Sequence, residues 1–221
     1  AAVCELVLGT MIDLSRGVSD ASGAYRAGLQ PSVRVGRQIA GSTVGVIGYG
    51  TIGRRLVRLL LAMEARVLVA DPHVTPADDA DLVPLPALLA ASDFVVCLAV
   101  AVPETANLLN TQTFAAMKPG AFLVNASRGE LLDEAALSAA LDSGHLAGAA
   151  LDVGLAPDQM PSPALAARPD VIATPHIGGL TVEAAEHQAL ETVRQVAAIL
   201  GGTAPPGSLN ADHASRLRAR R

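Results

Sequence analysis

The stretch Thr43-Val44-Gly45-Val46-Ile47-Gly48-Tyr49-Gly50-Thr51-Ile52-Gly53 decides the fold. Residues 44–47 form a short apolar run of strand type. Gly48, Gly50 and Gly53 then space a Gly-x-Gly-x-x-Gly turn that opens a helix near Ile52–Met63. Gly48 permits a tight turn, Gly50 lets the backbone approach a diphosphate, and Gly53 lets the helix lie close to the sheet. The N–H groups at the helix start then face the anion. The next apolar run, Val67–Ala70, ends at Asp71, 18 residues beyond Gly53. A carboxylate there accepts hydrogen bonds from ribose hydroxyls and repels a 2′-phosphate, which favours NAD over NADP. Arg66 precedes that run and offers no competing phosphate clamp.

Outward from this turn, apolar runs alternate with helical stretches up to about Leu200. The runs are Val44–Ile47, Val67–Ala70, Phe94–Leu98, Phe122–Asn125, Ala149–Val153 and Val171–Ala173, with a weaker one at Leu82–Val83. The helices fall near Ile52–Met63, Pro86–Ala91, Thr111–Met117, Glu134–Ser143 and Thr181–Leu200. Such alternation predicts an α/β fold, a doubly wound parallel sheet of Rossmann type with right-handed crossovers. Upstream, Val3, Leu6, Val7, Met11 and Leu14 carry helical spacing, and Gly17 is the stop. Ser19–Arg37 is polar, carries Gly23, Gly28, Pro31 and Gly36, and reads as a connector. The expected division is 1–17 helix, 18–40 connector, 41–180 dinucleotide-binding domain, 181–200 C-terminal helix and 201–221 irregular tail.

Composition supports this reading. Of 221 residues, 51% are hydrophobic and 17% charged, which excludes a disordered chain. Trp is absent, and Tyr and Phe number two and three, so the core is built of Ala, Val, Leu and Ile. That suits a sheet covered on both faces. The net charge of −5 leaves no basic stripe, so no nucleic-acid partner is expected, and Arg216, Arg218, Arg220 and Arg221 read as a solvated tail. Cys4 and Cys97 sit in apolar runs without metal-ligand spacing. They read as buried small hydrophobes of a reduced, cytoplasmic compartment, and no metal is expected. No apolar stretch reaches the ~18 residues that span a membrane. The first residues lack the basic region and cleavage site of a signal peptide. Ala1 stands in place of an initiator Met, so the chain reads as a fragment.

In an open parallel sheet, ligands gather at the carboxyl ends of the strands. There the sequence sets Ala126-Ser127-Arg128-Gly129, then Asp152, then Thr174-Pro175-His176-Ile177-Gly178-Gly179. An Arg holds a carboxylate bidentately and polarises an adjacent carbonyl. A His exchanges a hydroxyl proton near neutral pH, and a carboxylate beside it fixes its tautomer. With a nicotinamide nearby, the set suits hydride transfer between a 2-hydroxy acid and a 2-oxo acid. Elsewhere, Asp133 reads as the N-cap of the helix from Glu134, and His145 as a structural group near a helix C-terminus. His187 reads as solvated, His213 lies in the tail, and His73 is left without a role.

These segments together resemble the D-isomer-specific 2-hydroxyacid dehydrogenases, and are similar to the D-3-phosphoglycerate dehydrogenases within that family. The resemblance rests on Ala40–Gly53, Ala70-Asp71-Pro72, Asn125–Gly129, Ala150–Val153 and Thr174–Gly179, in that order. It implies NAD contacts at Thr51, Ile52, Asp71, Ala126, Ser127, Arg128, Asp152 and His176 to Gly179. It implies Arg128 on the substrate carboxylate and carbonyl, and His176 as acid/base. The first helix would cross over from a mostly missing substrate domain and join a homodimer interface. The Thr181–Leu200 helix would return toward that domain. Members carry about a hundred residues ahead of this first helix. The family's Phe-x-x-Glu-Pro segment has no counterpart: Gly154-Leu155-Ala156-Pro157-Asp158-Gln159 stands there. Asp158 is the substitute acid, with Gln159 second. The loop Ala99–Thr105 is shorter and more apolar than the family pattern. Two rival readings share the cofactor: a non-catalytic NAD-binding module of corepressor type, and a formate- or phosphite-type dehydrogenase.

Overall fold

A computed structural model of the chain describes residues 1–74 and 80–208. The strands are β1 Thr43–Ile47, β2 Arg66–Ala70, β3 Asp81–Leu82, β4 Phe94–Cys97, β5 Ala121–Asn125, β6 Leu146–Leu151 and β7 Val171–Ala173. The helices are α1 Ala2–Arg16, α2 Val18–Arg26, α3 Thr51–Ala62, α4 Leu85–Ala91, α5 Thr111–Ala116, α6 Glu134–Asp142, α7 Pro163–Ala166 and α8 Val182–Leu200. All strands pair in parallel, in the order β3-β2-β1-β4-β5-β6-β7. The order runs outward from β1 to β3 and then reverses at β4. The carboxyl ends of β1 and β4 therefore flank the switch point where such sheets bind ligands.

Side chains of successive strand residues point to opposite faces, and both faces are covered. Val44, Val46, Phe94 and Val96 pack under Val7 and Met11 of α1 and Leu56 and Leu60 of α3. Val95, Cys97 and Leu123 pack under Leu88 of α4, Phe114 of α5 and Leu137 of α6. Phe94 and Phe122 stack at 5.3 Å between centroids. Both cysteines are buried and unpaired. Burial pushes the Cys97 thiol up to about 11 and raises that of Cys4 as well.

Several segments differ from expectation, the short helix α7 among them. The connector is not wholly irregular: Val18–Arg26 is helical. Gly17 ends α1 in the left-handed region, φ 64°, and the Ser19 N–H caps back to Asp13 Oδ1 at 2.8 Å. α2 is short and mostly small and polar, with Gly23 inside it, so no apolar period marks it. β6 starts three residues before the predicted Ala149 because Gly148 belongs to it. A Cβ at Gly148 would stand 3.0 Å from the Asp170 carbonyl, so glycine here serves close strand approach, not a turn. His145 serves a different helix from its own: Nε2 lies 3.0 and 3.1 Å from the carbonyls of Phe114 and Met117 at the end of α5. Asp133 caps α6 as expected, accepting from the Ala136 N–H at 3.0 Å.

Two compact units divide after Gly178. Residues 1–178 hold the sheet. In the second unit, the Thr181 hydroxyl caps α8 by accepting from the Ala184 N–H. α8 buries no residue, and Leu190, Val193, Val196 and Leu200 are exposed. His213 and the four arginines from Arg216 lie outside the described residues. Among the described residues no helix is long and apolar enough to cross a membrane, and no three His, Cys, Asp or Glu side chains gather as metal ligands would.

Candidate active site

The glycine turn follows β1 directly. Gly48 has φ 98°, and a Cβ on it would stand 2.7 Å from the Leu98 backbone beyond β4. A Cβ on Gly53 would collide with the Gly48 carbonyl, so this glycine lets α3 close on the turn itself, rather than on the sheet. Gly50 differs: a Cβ there would meet no atom within 4 Å. Gly50 is also the N-cap of α3, which has no side-chain cap. The first N–H groups of a twelve-residue helix thus lie beside a backbone cradle that no side chain enters. Ile52 on this turn is 42% exposed, an apolar surface beside polar donors. That combination fits a diphosphate with an aromatic or ribosyl group alongside it.

Asp71 sits just past β2. One carboxylate oxygen accepts the Tyr49 N–H at 2.7 Å and the other the His73 N–H at 2.9 Å. Each oxygen keeps a further lone pair for a ribose hydroxyl. The acid therefore shapes the glycine turn as well as facing the place a ribose would take. Arg54 stacks its guanidinium 4.6 Å over the Tyr49 ring and stiffens the same turn from α3.

The turn after β5 is built on Asn125, which is fully buried. Its Nδ2 donates to the Arg128 carbonyl at 3.0 Å, and its Oδ1 accepts the Ser127 N–H at 3.2 Å. Ser127 Oγ also donates to the Ala99 carbonyl. Arg128 is exposed, and its guanidinium donates to the Ser127 carbonyl at 2.7 Å. In the sequence Asn125 stands only as the first letter of Asn-Ala-Ser-Arg-Gly. Its signal was an Asn ending an apolar strand, where it forms a side-chain turn with the backbone that follows.

Asp152 follows β6, and its N–H donates to the Asn125 carbonyl at 3.1 Å. Its carboxylate is buried and takes three donors: Thr174 Oγ1 at 2.6 Å, Ile177 N at 2.8 Å and Gly178 N at 2.7 Å. A Cβ on Gly178 would stand 2.6 Å from Asp152 Oδ2, so a side chain there would press on the carboxylate that this segment holds. The clamp grips both ends of the segment after β7 and holds His176 at its apex with φ 53°. A non-glycine residue in that region costs about 1–3 kcal/mol and persists where its surroundings over-determine it. Asp152 thus acts on the backbone that carries His176, not on the ring.

The ring's own partner is different again. His176 Nδ1 lies 3.3 Å from the main-chain carbonyl of Asp158. The Asp158 carboxylate, expected to meet the imidazole, makes no hydrogen bond to it, and neither does Gln159. The reason is local backbone: Asp158 and Gln159 both lie in the left-handed region, φ 59° and 58°, which aims the peptide oxygen at the ring. This loop touches the Arg128 turn through two glycines, because a Cβ on Gly129 would collide with the Gly154 backbone. Arg128, Asp152 and His176 accordingly share the carboxyl-end rim of β5, β6 and β7. Gly179 opens the second unit, and a Cβ on it would meet nothing within 4 Å.

Fold and turn together define a dinucleotide-binding α/β domain with an Arg, a carboxylate and a His on the binding edge. Residues 8–178 match the family model described as D-isomer specific 2-hydroxyacid dehydrogenase, NAD binding domain, and the chain belongs to that family. It is 37% identical over 213 residues to the D-3-phosphoglycerate dehydrogenase of Mycobacterium leprae (strain TN), covering 94% of this chain and 40% of that protein. The chain therefore spans less than half the length of this relative. The crystal structure of D-lactate dehydrogenase with NAD+ from Lactobacillus jensenii superposes with a TM-score of 0.82 at 28% identity, over 93% of this chain and 67% of that one. The D-lactate dehydrogenase of Escherichia coli gives a TM-score of 0.82 at 31% identity, over 94% and 67%. NAD is the cofactor of this domain family, and the open helix terminus, the Gly50 cradle and Asp71 fit it.

Proposed function

We propose that the chain is the NAD-binding and proton-handling part of an enzyme that interconverts a 2-hydroxy acid and a 2-oxo acid, 3-phosphoglycerate-like or another small substrate. The observation that carries this is the Asp152 clamp. It holds His176 in a strained backbone state on the same rim as Arg128. A surface histidine without a task has no use for that cost. Bound NAD supplies or takes the hydride. Arg128 binds the substrate carboxylate and polarises the adjacent carbonyl. His176 gives its proton to the carbonyl oxygen in reduction and recovers it from the hydroxyl in oxidation. Gly48–Gly53 would hold the diphosphate, Asp71 the adenosine ribose, and Ala126–Arg128, Asp152, Ile177 and Gly178 the nicotinamide end. α1 crosses over from a substrate domain and contributes to a homodimer interface, and α8 returns toward that domain.

The test uses the intact protein with NADH and a panel of 2-oxo acids. Turnover is expected for at least one, with His176→Ala losing about 10²–10⁴-fold in kcat while NADH affinity is kept. NADH binding without turnover across the panel would instead favour a non-catalytic module.

A further inference from the structure

We propose that the main-chain carbonyl of Asp158 fixes the neutral His176 ring in its Nδ1–H tautomer, so that Nε2 is the atom that exchanges the substrate proton. This rests on His176 as the acid/base group of the preceding section. Asp158 is then a positioning residue that acts through its backbone, and its carboxylate is dispensable for the tautomer.

The chemistry of the acceptor decides the tautomer. A carbonyl oxygen carries no proton, so the 3.3 Å contact to Nδ1 is a hydrogen bond only when Nδ1 holds one. The opposite neutral tautomer would set two acceptors face to face. With Nδ1–H committed, Nε2 keeps its lone pair and accepts the hydroxyl proton, giving imidazolium. In the reverse direction that proton returns from Nε2 to the carbonyl oxygen. The hydride on substrate C2 moves separately, to or from the nicotinamide, so the ring handles only the proton.

The backbone around this contact is built for it. Among the described residues, five non-glycine residues have positive φ, and three of them, Asp158, Gln159 and His176, meet at this one hydrogen bond. Side chains rarely adopt this region unless their surroundings hold them there. The holding contacts are present: Gly154 N–H donates to the Gln159 carbonyl at 2.8 Å, and Ala156 N–H to that of Met160 at 3.1 Å. A Cβ on Gly154 would collide with the Met160 carbonyl, so the loop closes that tightly only over glycine. On the other side, the Asp152 clamp fixes the backbone that carries the ring. Two independent restraints thus converge on the pair Nδ1 and O.

Long-range proton–nitrogen NMR of the intact, ring-labelled protein reads the tautomer directly, with His176→Gln assigning the signals. The expected result is a protonated, pyrrole-type Nδ1 and a pyridine-type Nε2 in the neutral ring. Asp158→Asn and Asp158→Ala keep the carbonyl and should leave this pattern unchanged. Gln159→Pro forces φ to about −65°, rotates the peptide, and should move the population toward Nε2–H. An Nε2–H ring in the parent protein overturns the proposal. So does loss of the Nδ1–H form in Asp158→Asn, which would make the carboxylate the partner, or its persistence in Gln159→Pro. An intact protein that keeps the Nδ1–H form yet turns over no 2-oxo acid would defeat the enzymatic reading alone.

Discussion

At the residue scale, two buried polar groups on neighbouring strand ends do similar jobs. Asn125 ties the Arg128 turn and Asp152 ties the His176 turn, and the Asp152 N–H joins the two through the Asn125 carbonyl. Replacing Asn125 by Leu keeps the branched side-chain skeleton but strands the Ser127 N–H and the Arg128 carbonyl. An unmade hydrogen bond at a buried group costs about 1–3 kcal/mol. The expected outcome is a loss of that size in denaturant unfolding, and a KM for the 2-oxo acid that rises more than the Kd for NADH. Equal rises in both would remove Asn125 from any specific support of Arg128. Most residues of this rim were legible as motif letters, because each turn follows an apolar strand. What hid was the division of labour. Asp158 looked like an acid by its side chain and serves by its peptide oxygen, since two left-handed residues in succession cannot be read from a Pro-Asp-Gln string.

At the element scale, charged pairs pin strand and helix ends. Asp93 stands ahead of β4, accepts the Thr43 N–H of β1 at 2.9 Å and pairs with Lys118 at 2.6 Å. Burial pushes its carboxyl up, but the Lys118 and Thr43 hydrogen bonds outweigh burial and hold it below the usual range. Arg168 bonds both Asp170 and Asp142, and its hydrogen bonds lower the Asp170 carboxyl in the same way. Both groups have depressed values in the folded state, so on acidification the unfolded chain takes up their protons first. Their contribution is whole above the ordinary carboxylate value of about 4 and is lost as pH falls through the lower folded values. The urea midpoint should hold steady from about pH 7 to 5 and fall below about pH 4. Asp93→Asn should lower it at neutral pH and flatten the acid decline; an unaltered acid slope would contradict this account. The strands and longer helices of the sheet were readable from apolar period alone. α2 was not, because nine mostly small and polar residues, with Gly23 among them, carry no apolar stripe.

At the scale of the whole molecule, the sheet brings groups over a hundred residues apart to one edge, and a ligand that spans that edge should stabilise the entire first unit. NADH at a hundred times its Kd should add about 2.7 kcal/mol to unfolding stability, read as a rise in the thermal midpoint. NADPH should add less, and Asp71→Ala should narrow the difference, because the repulsion of a 2′-phosphate goes with the carboxylate. Equal stabilisation by both cofactors in the parent would refute the role given to Asp71. By itself, the sequence determined the α/β class, the glycine turn, the acid after β2 and the polar rim, since local spacing and apolar period dictate these. The tertiary structure alone decided which atoms meet. The Asp152 carboxylate grips backbone, the imidazole finds a peptide oxygen, and Gly129 lies against Gly154, because such contacts follow from backbone dihedrals and strand register that no short stretch of chain encodes.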